Sequence, residues 1–290
     1  MKGESFLSYL NIAPLLADAY QNHYAIPAFN ILNELTAKAI VQASAELNAP
    51  LILQTSVSTV KQIGPQRLIG FLKNLAEIYS IPICVHLDHC TDVELAKQCI
   101  DLGWSSVMID ASRLPLEENI AVTKRIVEYA RKHNVTVEGE LGAISGVEDN
   151  ISVEESDAHL ASVEDSIRFM RETQVDAFAP AVGTAHGLYH HEPHISFERF
   201  EEISAHASSP LVVHGGTGLS DEVFKRFIEL GAAKINISTA IKHAYCGAAY
   251  DFLSHAAPNP NPLKMDAQIE ESIKAVASRL IKLFGAAYQA

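Results

Sequence analysis

Eight short apolar, β-rich runs recur along the chain at spacings too long for hairpins, and this recurrence constrains the fold more than any other feature. They are AIPAFN (25–30), PLILQTS (50–56), PICVHLD (82–88), SSVMID (105–110), TVEGELG (136–142), AFAPAVG (177–183), PLVVHGG (210–216) and AAKINIST (232–239). Between them lie stretches of helical period, such as ELTAKAIVQASAEL, DVELAKQCIDLG and SDEVFKRFIELG. Strand then helix, eight times over, predicts an α/β fold whose parallel sheet closes as a (β/α)8 TIM barrel. The runs are apolar on both faces, which suits strands covered by side chains within and by helices without. An open doubly wound sheet competes with this reading. Against it, no G-x-G-x-x-G follows the first strand and no linker or composition shift divides the chain. We therefore expect one domain over residues 1–290, with an extra N-terminal helix (5–22) and an extra C-terminal helix (266–284) closing the bottom and side of the barrel.

Chemistry in such barrels sits at the C-terminal ends of the strands, and the reactive residues concentrate there. The first strand ends in Asn30, the second in Ser56, the third in Asp88 and His89, the fourth in Asp110, and the fifth near Glu140. Just past the sixth comes GTAHG with His186, the seventh runs into HGGTG with His214, and the eighth carries Asn236, Ser238 and Thr239. Three histidines converging from three strand ends make a metal site with an open position; zinc suits it, and cobalt or iron can bind such a set. A single histidine is more often a satisfied core or surface residue, and thirteen of them leave room for coincidence. The position of these three at strand ends is what favours ligation. His190, His191 and His194, in the polar stretch HHEPH, read as a solvated loop, and His86 as a structural histidine hydrogen-bonded within the barrel.

The loops after strands seven and eight of a barrel often hold a phosphate. Here they are HGGTGLS and NISTA, with glycines that expose backbone N–H groups and a helix opening at Thr239. The segment GAISGVEDNISVEESDAHLAS after the fifth strand reads as a long acidic loop, able to carry Glu148 into the site or simply to be solvated. A formal net charge of −13 with no Lys/Arg cluster argues against nucleic-acid or anionic-membrane binding. The four cysteines show no C-x-x-C spacing, the first residues lack a signal-peptide pattern, and no apolar run approaches a membrane span. A cytoplasmic enzyme is the expectation.

Taken in order, YAIPAFN, HLDHC, MIDAS, VEGELGAISGVED, VGTAHGLY, VVHGGTG and KINIST resemble the class II, metal-dependent ketose-bisphosphate aldolases over essentially the whole chain. The resemblance implies that His89, His186 and His214 bind a catalytic zinc, and that Asp110 and Glu140 offer a second divalent position, with a monovalent cation left open. It implies Asp88 as the acid/base on the C4 oxygen and Glu148 as a second proton-transfer group. Phosphate and ketose contacts would fall on Gly187, on Gly215, Gly216 and Thr217, and on Asn236, Ile237, Ser238 and Thr239, with Asn30 and Ser56 also facing substrate. The implied reaction is reversible cleavage of tagatose or fructose 1,6-bisphosphate to dihydroxyacetone phosphate and glyceraldehyde 3-phosphate, by a homodimer or homotetramer. GTAHGLY and GVEDNISVE look more like the tagatose branch, whereas Ser56 and HGGTG are closer to the fructose type, and MIDASRL departs from the commoner MIDGSH. An aldolase for another phosphorylated keto-sugar, or a non-catalytic barrel subunit beside a tagatose-type aldolase, stays open. A zinc hydrolase on the same barrel is disfavoured because AIPAFN has no H-x-H.

Overall fold

The computed structural model describes residues 9–142, 144–148, 151–153, 159–187, 193–255 and 259–290, and over 145–153 the backbone alone. In chain order the strands are β1 (Ile26–Asn30), β2 (Leu51–Ser56), β3 (Ile83–Cys90), β4 (Ser106–Ile109), β5 (Thr136–Leu141), β6 (Ser145–Glu148), β7 (Ile151–Val153), β8 (Ala177–Pro180), β9 (Ala185–His186), β10 (Leu211–Val213) and β11 (Ala232–Ile237). Eight of them close into a parallel barrel in the order β1-β11-β10-β8-β5-β4-β3-β2, as the eightfold recurrence predicts. Every residue of these eight strands is buried, which is why their sequences read as unbroken apolar runs rather than alternating ones.

The helices are α1 (Ala13–Gln21), α2 (Glu34–Glu46), α3 (Val57–Ile63), α4 (Pro65–Ile78), α5 (Val93–Leu102), α6 (Leu116–Arg131), α7 (Val163–Thr173), α8 (Phe197–His206), α9 (Asp221–Glu229), α10 (Thr239–His255) and α11 (Pro262–Leu283). Side chains at several N-termini start them. Asn33 and Thr36 form a reciprocal capping box on α2, and Ser56, Asp92, Ser162, Ser220 and Asn261 cap α3, α5, α7, α9 and α11. Each such cap is worth about 1 kcal/mol and fixes where a loop hands over to a helix.

The two flanking helices are shifted from their expected bounds. The first begins at Ala13 rather than residue 5, with Pro14 in its opening turn; residues 1–8 lie outside the described residues. It buries Leu16 and Ala19 against β1 and β11, while Ile12 N–H reaches Thr136 Oγ1 at the start of β5 (3.4 Å), so it closes the N-terminal end of the barrel. The last begins at Pro262, four residues early, because Asn261 caps it and a proline is well placed in a first turn. It packs on α10 and α2 at the side.

The segment after β5, expected as a loop, corrects the sequence reading most. It contains β6 and β7, paired antiparallel through Gly146↔Val153, Val147↔Ser152 and Glu148↔Ile151, and β6 also pairs in parallel with β9 through Ser145↔Ala185 and Gly146↔His186. Three- and four-residue strands are too short to show a period of two against an acidic, glycine-punctuated background.

Candidate active site

β3 sets the geometry of the site. Side chains of a regular strand alternate, so Asp88 and His89 should face opposite ways. Instead the backbone of His89 turns to φ +45°, and the register with β4 jumps between Leu87 and Cys90. This bulge holds a non-glycine residue in the left-handed region at a cost of about 1–3 kcal/mol, and it brings both side chains to the barrel mouth. His89 there packs edge-on against His214 and His186, with ring centroids 4.7 and 4.9 Å away.

The three histidines arrive from different devices. His214 follows β10 directly and is kept close by Gly215, whose φ is +67° and where a Cβ would lie 2.4 Å from the Ala185 carbonyl oxygen. His186 sits on β9, not on a barrel strand, so the small sheet over the mouth positions it. The ring nitrogens of His89, His186 and His214 lie within 4.8 Å of one another, as do donor atoms of His89, Asp110 and Glu140. All five residues are at most 9% exposed.

Hydrogen bonds settle the ring protons. Asp110 Oδ2 accepts from His89 Nδ1 at 2.9 Å, and Glu138 Oε1 accepts from His214 Nε2 at 2.8 Å. His89 Nε2 and His214 Nδ1 then face each other at 2.9 Å. Burial opposes charge on His89, yet the carboxylates of Asp88, Asp110 and Glu140 outweigh it and raise its pKa well above the usual imidazole range. Burial, and then the charge on His89, lower His214 well below that range and push His186 down to about 3. Burial raises Asp110, but the bond to His89 prevails and holds it well below ordinary carboxylates; burial and the charge of Asp110 push Glu140 well above them. Glu140 Oε2, fully buried and without a hydrogen-bond partner among the described residues, lies 3.4 Å from His214 Nδ1. Two neutral imidazoles, His186 and His214, the latter anchored through Nε2 on Glu138, and His89, anchored through Nδ1 on Asp110 and able to give up its Nε2 proton, lie beside such an oxygen, a donor set that fits a divalent cation such as zinc.

Asp88 lies alongside, held by amides from both flanks. Asn30 Nδ2 donates to Oδ2 at 2.8 Å and Asn236 Nδ2 to Oδ1 at 3.4 Å. Ser56 is at the mouth end of β2, its hydroxyl accepting from Thr59 N–H as the cap of α3. On the far rim, Gly187 has φ +93°, Thr217 Oγ1 accepts from Ala240 N–H in the first turn of α10, and Ser238 Oγ is buried with no partner among the described residues. A Cβ on Gly216 would meet the Asn236 carbonyl oxygen at 2.8 Å, so the glycine turn lies directly on the end of β11. Ile237 is itself in the core, so only its backbone faces the rim. The site residues expected from sequence thus lie together at one mouth, except Glu148, which ends β6 but whose side chain is outside the described residues. His190 and His191 are outside them too; His194 is exposed, as a loop histidine should be. His86 is hydrogen-bonded inside the barrel, Nδ1 to Ser106 Oγ at 2.8 Å.

The sequence reading passed over Gln54, Glu138 and Lys234, all buried in the barrel. Parity was the available signal. Glu138 and Lys234 stand two residues before Glu140 and Asn236, and so share their inward face.

Residues 10–289 match the family model for class II fructose-bisphosphate aldolase. The chain belongs to that family. This class II aldolase is therefore a carbon–carbon lyase, of a family generally dependent on zinc. It is 39% identical over 287 residues, 98% of this chain and 97% of the other, to a 6-phospho-5-dehydro-2-deoxy-D-gluconate aldolase of Shouchella clausii. In structure it resembles the YdjI aldolase of Escherichia coli K12 (TM-score 0.86, 29% identity, 97% of this chain and 99% of the other). It is similar also to a putative fructose-1,6-bisphosphate aldolase of Coccidioides immitis (TM-score 0.85, 26% identity, 100% and 99%). Among the described residues, no helix is long and apolar enough to cross a membrane.

Proposed function

We propose that this aldolase cleaves a phosphorylated keto-sugar at the bond between the carbons alpha and beta to its ketone, C3–C4 when the ketone is C2, releasing dihydroxyacetone phosphate when the substrate is a ketose 1,6-bisphosphate such as tagatose or fructose 1,6-bisphosphate. The observation that carries the reading is the convergence of His89, His186 and His214 beside an Asp88 carboxylate clasped by Asn30 and Asn236. The three histidines hold zinc, and Asp110 and Glu140 provide an alternative divalent position. Bound there, zinc supplies Lewis acidity toward the C2 carbonyl.

The remaining work falls to the chain. Asp88 takes the C4 hydroxyl proton as general base in the cleavage direction. Glu148, carried over the mouth by the β6–β7 hairpin, exchanges a proton with C3. Asn30 and Ser56 contact the sugar. Gly187, Gly215, Gly216, Thr217 and the backbone from Asn236 through Ile237 and Ser238 to Thr239 cradle the C1 phosphate at the start of α10, where the positive end of the helix dipole favours an anion. The chain works in the cytoplasm as one domain within a homodimer or homotetramer.

A second substrate is favoured by the relative from Shouchella clausii, whose name specifies a 6-phospho-5-dehydro-2-deoxy-D-gluconate. The experiment is triose-phosphate release from tagatose 1,6-bisphosphate, fructose 1,6-bisphosphate and that keto-acid phosphate, side by side, with and without chelator. Cleavage that chelator removes and zinc restores supports the reading, and the rate ratio names the substrate. If zinc-loaded protein cleaves none of the three, the substrate assignment fails. Protein that also purifies without stoichiometric zinc points to a non-catalytic subunit.

A further inference from the structure

Barrel interiors of this kind are filled by layers of branched apolar side chains. Directly under the mouth this one carries Lys234 and Glu138, with His86 beside them, all at most 1% exposed. A buried ion pair adds little stability over well-packed apolar residues, so the fold alone gives no reason for it. The reason lies in what the pair touches above. Lys234 Nζ donates to Asn236 Oδ1 at 2.7 Å and to Glu138 Oε2 at 2.8 Å. An ammonium has donors only, so the first bond fixes the amide of Asn236 with its NH2 toward Asp88. The second steadies Glu138, whose other oxygen takes the Nε2 proton of His214 and leaves the Nδ1 lone pair facing His89. Gln54 does a similar service for Asn30, with Nε2 2.7 Å from Oδ1, but an amide can present either end and Gln54 bonds only one half of the site.

We propose that Lys234 is a positioning residue for both halves of the active site: through Asn236 it orients the Asp88 carboxylate, and through Glu138 it sets the tautomer and ring plane of His214. The kinetic half of this inference rests on the aldolase reading above; the metal-binding half stands without it.

The test is Lys234→Met in three backgrounds, otherwise unaltered, Asn236→Ala and Glu138→Gln. It reads kcat and KM for whichever sugar is cleaved, zinc affinity by competition with a chromogenic chelator, and circular dichroism for the fold. Alone, Lys234→Met lowers kcat about 10²-fold, the scale of a misplaced catalytic group, with KM within about threefold. It weakens zinc about 10- to 100-fold, as loss of a group orienting a ligand does. With Asn236→Ala present, its further effect on kcat shrinks to within about twofold while the zinc loss persists; with Glu138→Gln the pattern reverses. Effects that add in full in both backgrounds, or a Lys234→Met protein with unchanged kcat and zinc affinity, overturn the proposal. If Lys234→Met does not fold, Lys234→Gln, which loses the charge and keeps a shorter NH2 donor group, goes through the same cycle and is judged by the same criterion. Should the unaltered chain cleave no sugar, the functional reading fails by itself, and the zinc measurements still decide the Glu138 branch.

Discussion

His89 donates from Nδ1 to Asp110 and meets His214 Nδ1 from Nε2, so in the metal-free site its ring carries both protons, consistent with a pKa raised above the usual range. His186 and His214 are shifted the other way and stay neutral at pH 7. The sign follows: among the three imidazoles metal competes with a proton on His89 alone, so affinity falls as pH drops below its raised pKa and is insensitive to this group above it. At pH 7, zinc binding should release about one proton per site, read with an indicator dye in weak buffer. Asp110→Asn, which removes one of the carboxylates sustaining that proton, should release less; an unchanged yield would contradict the assignment. Asp88 has a different task. Asp88→Ala should lower kcat by about 10²- to 10⁴-fold, the span of general acid–base catalysis, with zinc stoichiometry by atomic absorption unchanged. Loss of zinc together with activity would instead make Asp88 part of the metal site.

At the scale of elements, two irregularities assemble the site: the bulge in β3 at His89, and the glycine turn after β10 pressed on β9. Gly215→Ala tests the second. A Cβ there clashes with the Ala185 carbonyl while the backbone is held at positive φ, so the variant should lose more than about 1 kcal/mol of stability. Since Ala185 precedes His186 and Gly215 follows His214, two imidazoles should move apart. Saturating zinc should then raise the Tm of Gly215→Ala less than that of the unaltered protein; an equal rise would show that the turn does not govern the ligands. The first irregularity was only half visible. HLDHC announced polar residues at the mouth end of a buried strand, but nothing in it announced the left-handed turn that lets Asp88 and His89 both face the mouth.

Across the whole molecule, the mouth gathers its groups from the ends of seven barrel strands and one small sheet, so a cation bound there ties together segments as distant in sequence as His89 and His214. A ligand of the folded state alone adds RT ln(1 + [L]/Kd), about 2.7 kcal/mol at a hundredfold excess over Kd. For a chain of this length that corresponds to a Tm shift of about 4–5 °C, which EDTA should abolish in differential scanning calorimetry. A Tm indifferent to chelator would remove the metal from the native site.

The sequence by itself determined the closed barrel, through eight buried runs separated by helical stretches, and it determined where the candidate site residues would gather, because residues at strand ends must share one rim once the sheet closes. Both are consequences of local pattern and of one topological rule. The β6–β7–β9 sheet, the left-handed turn at His89 and the Lys234–Glu138 layer were decided only in three dimensions. The small sheet depends on pairing between segments some forty residues apart, the turn on a register shift against β4, and the layer on side chains meeting across the barrel from β5 and β11. Contacts of that kind carry no periodicity along the chain. The burial that makes a charged pair costly, and therefore informative, exists only once the barrel has closed.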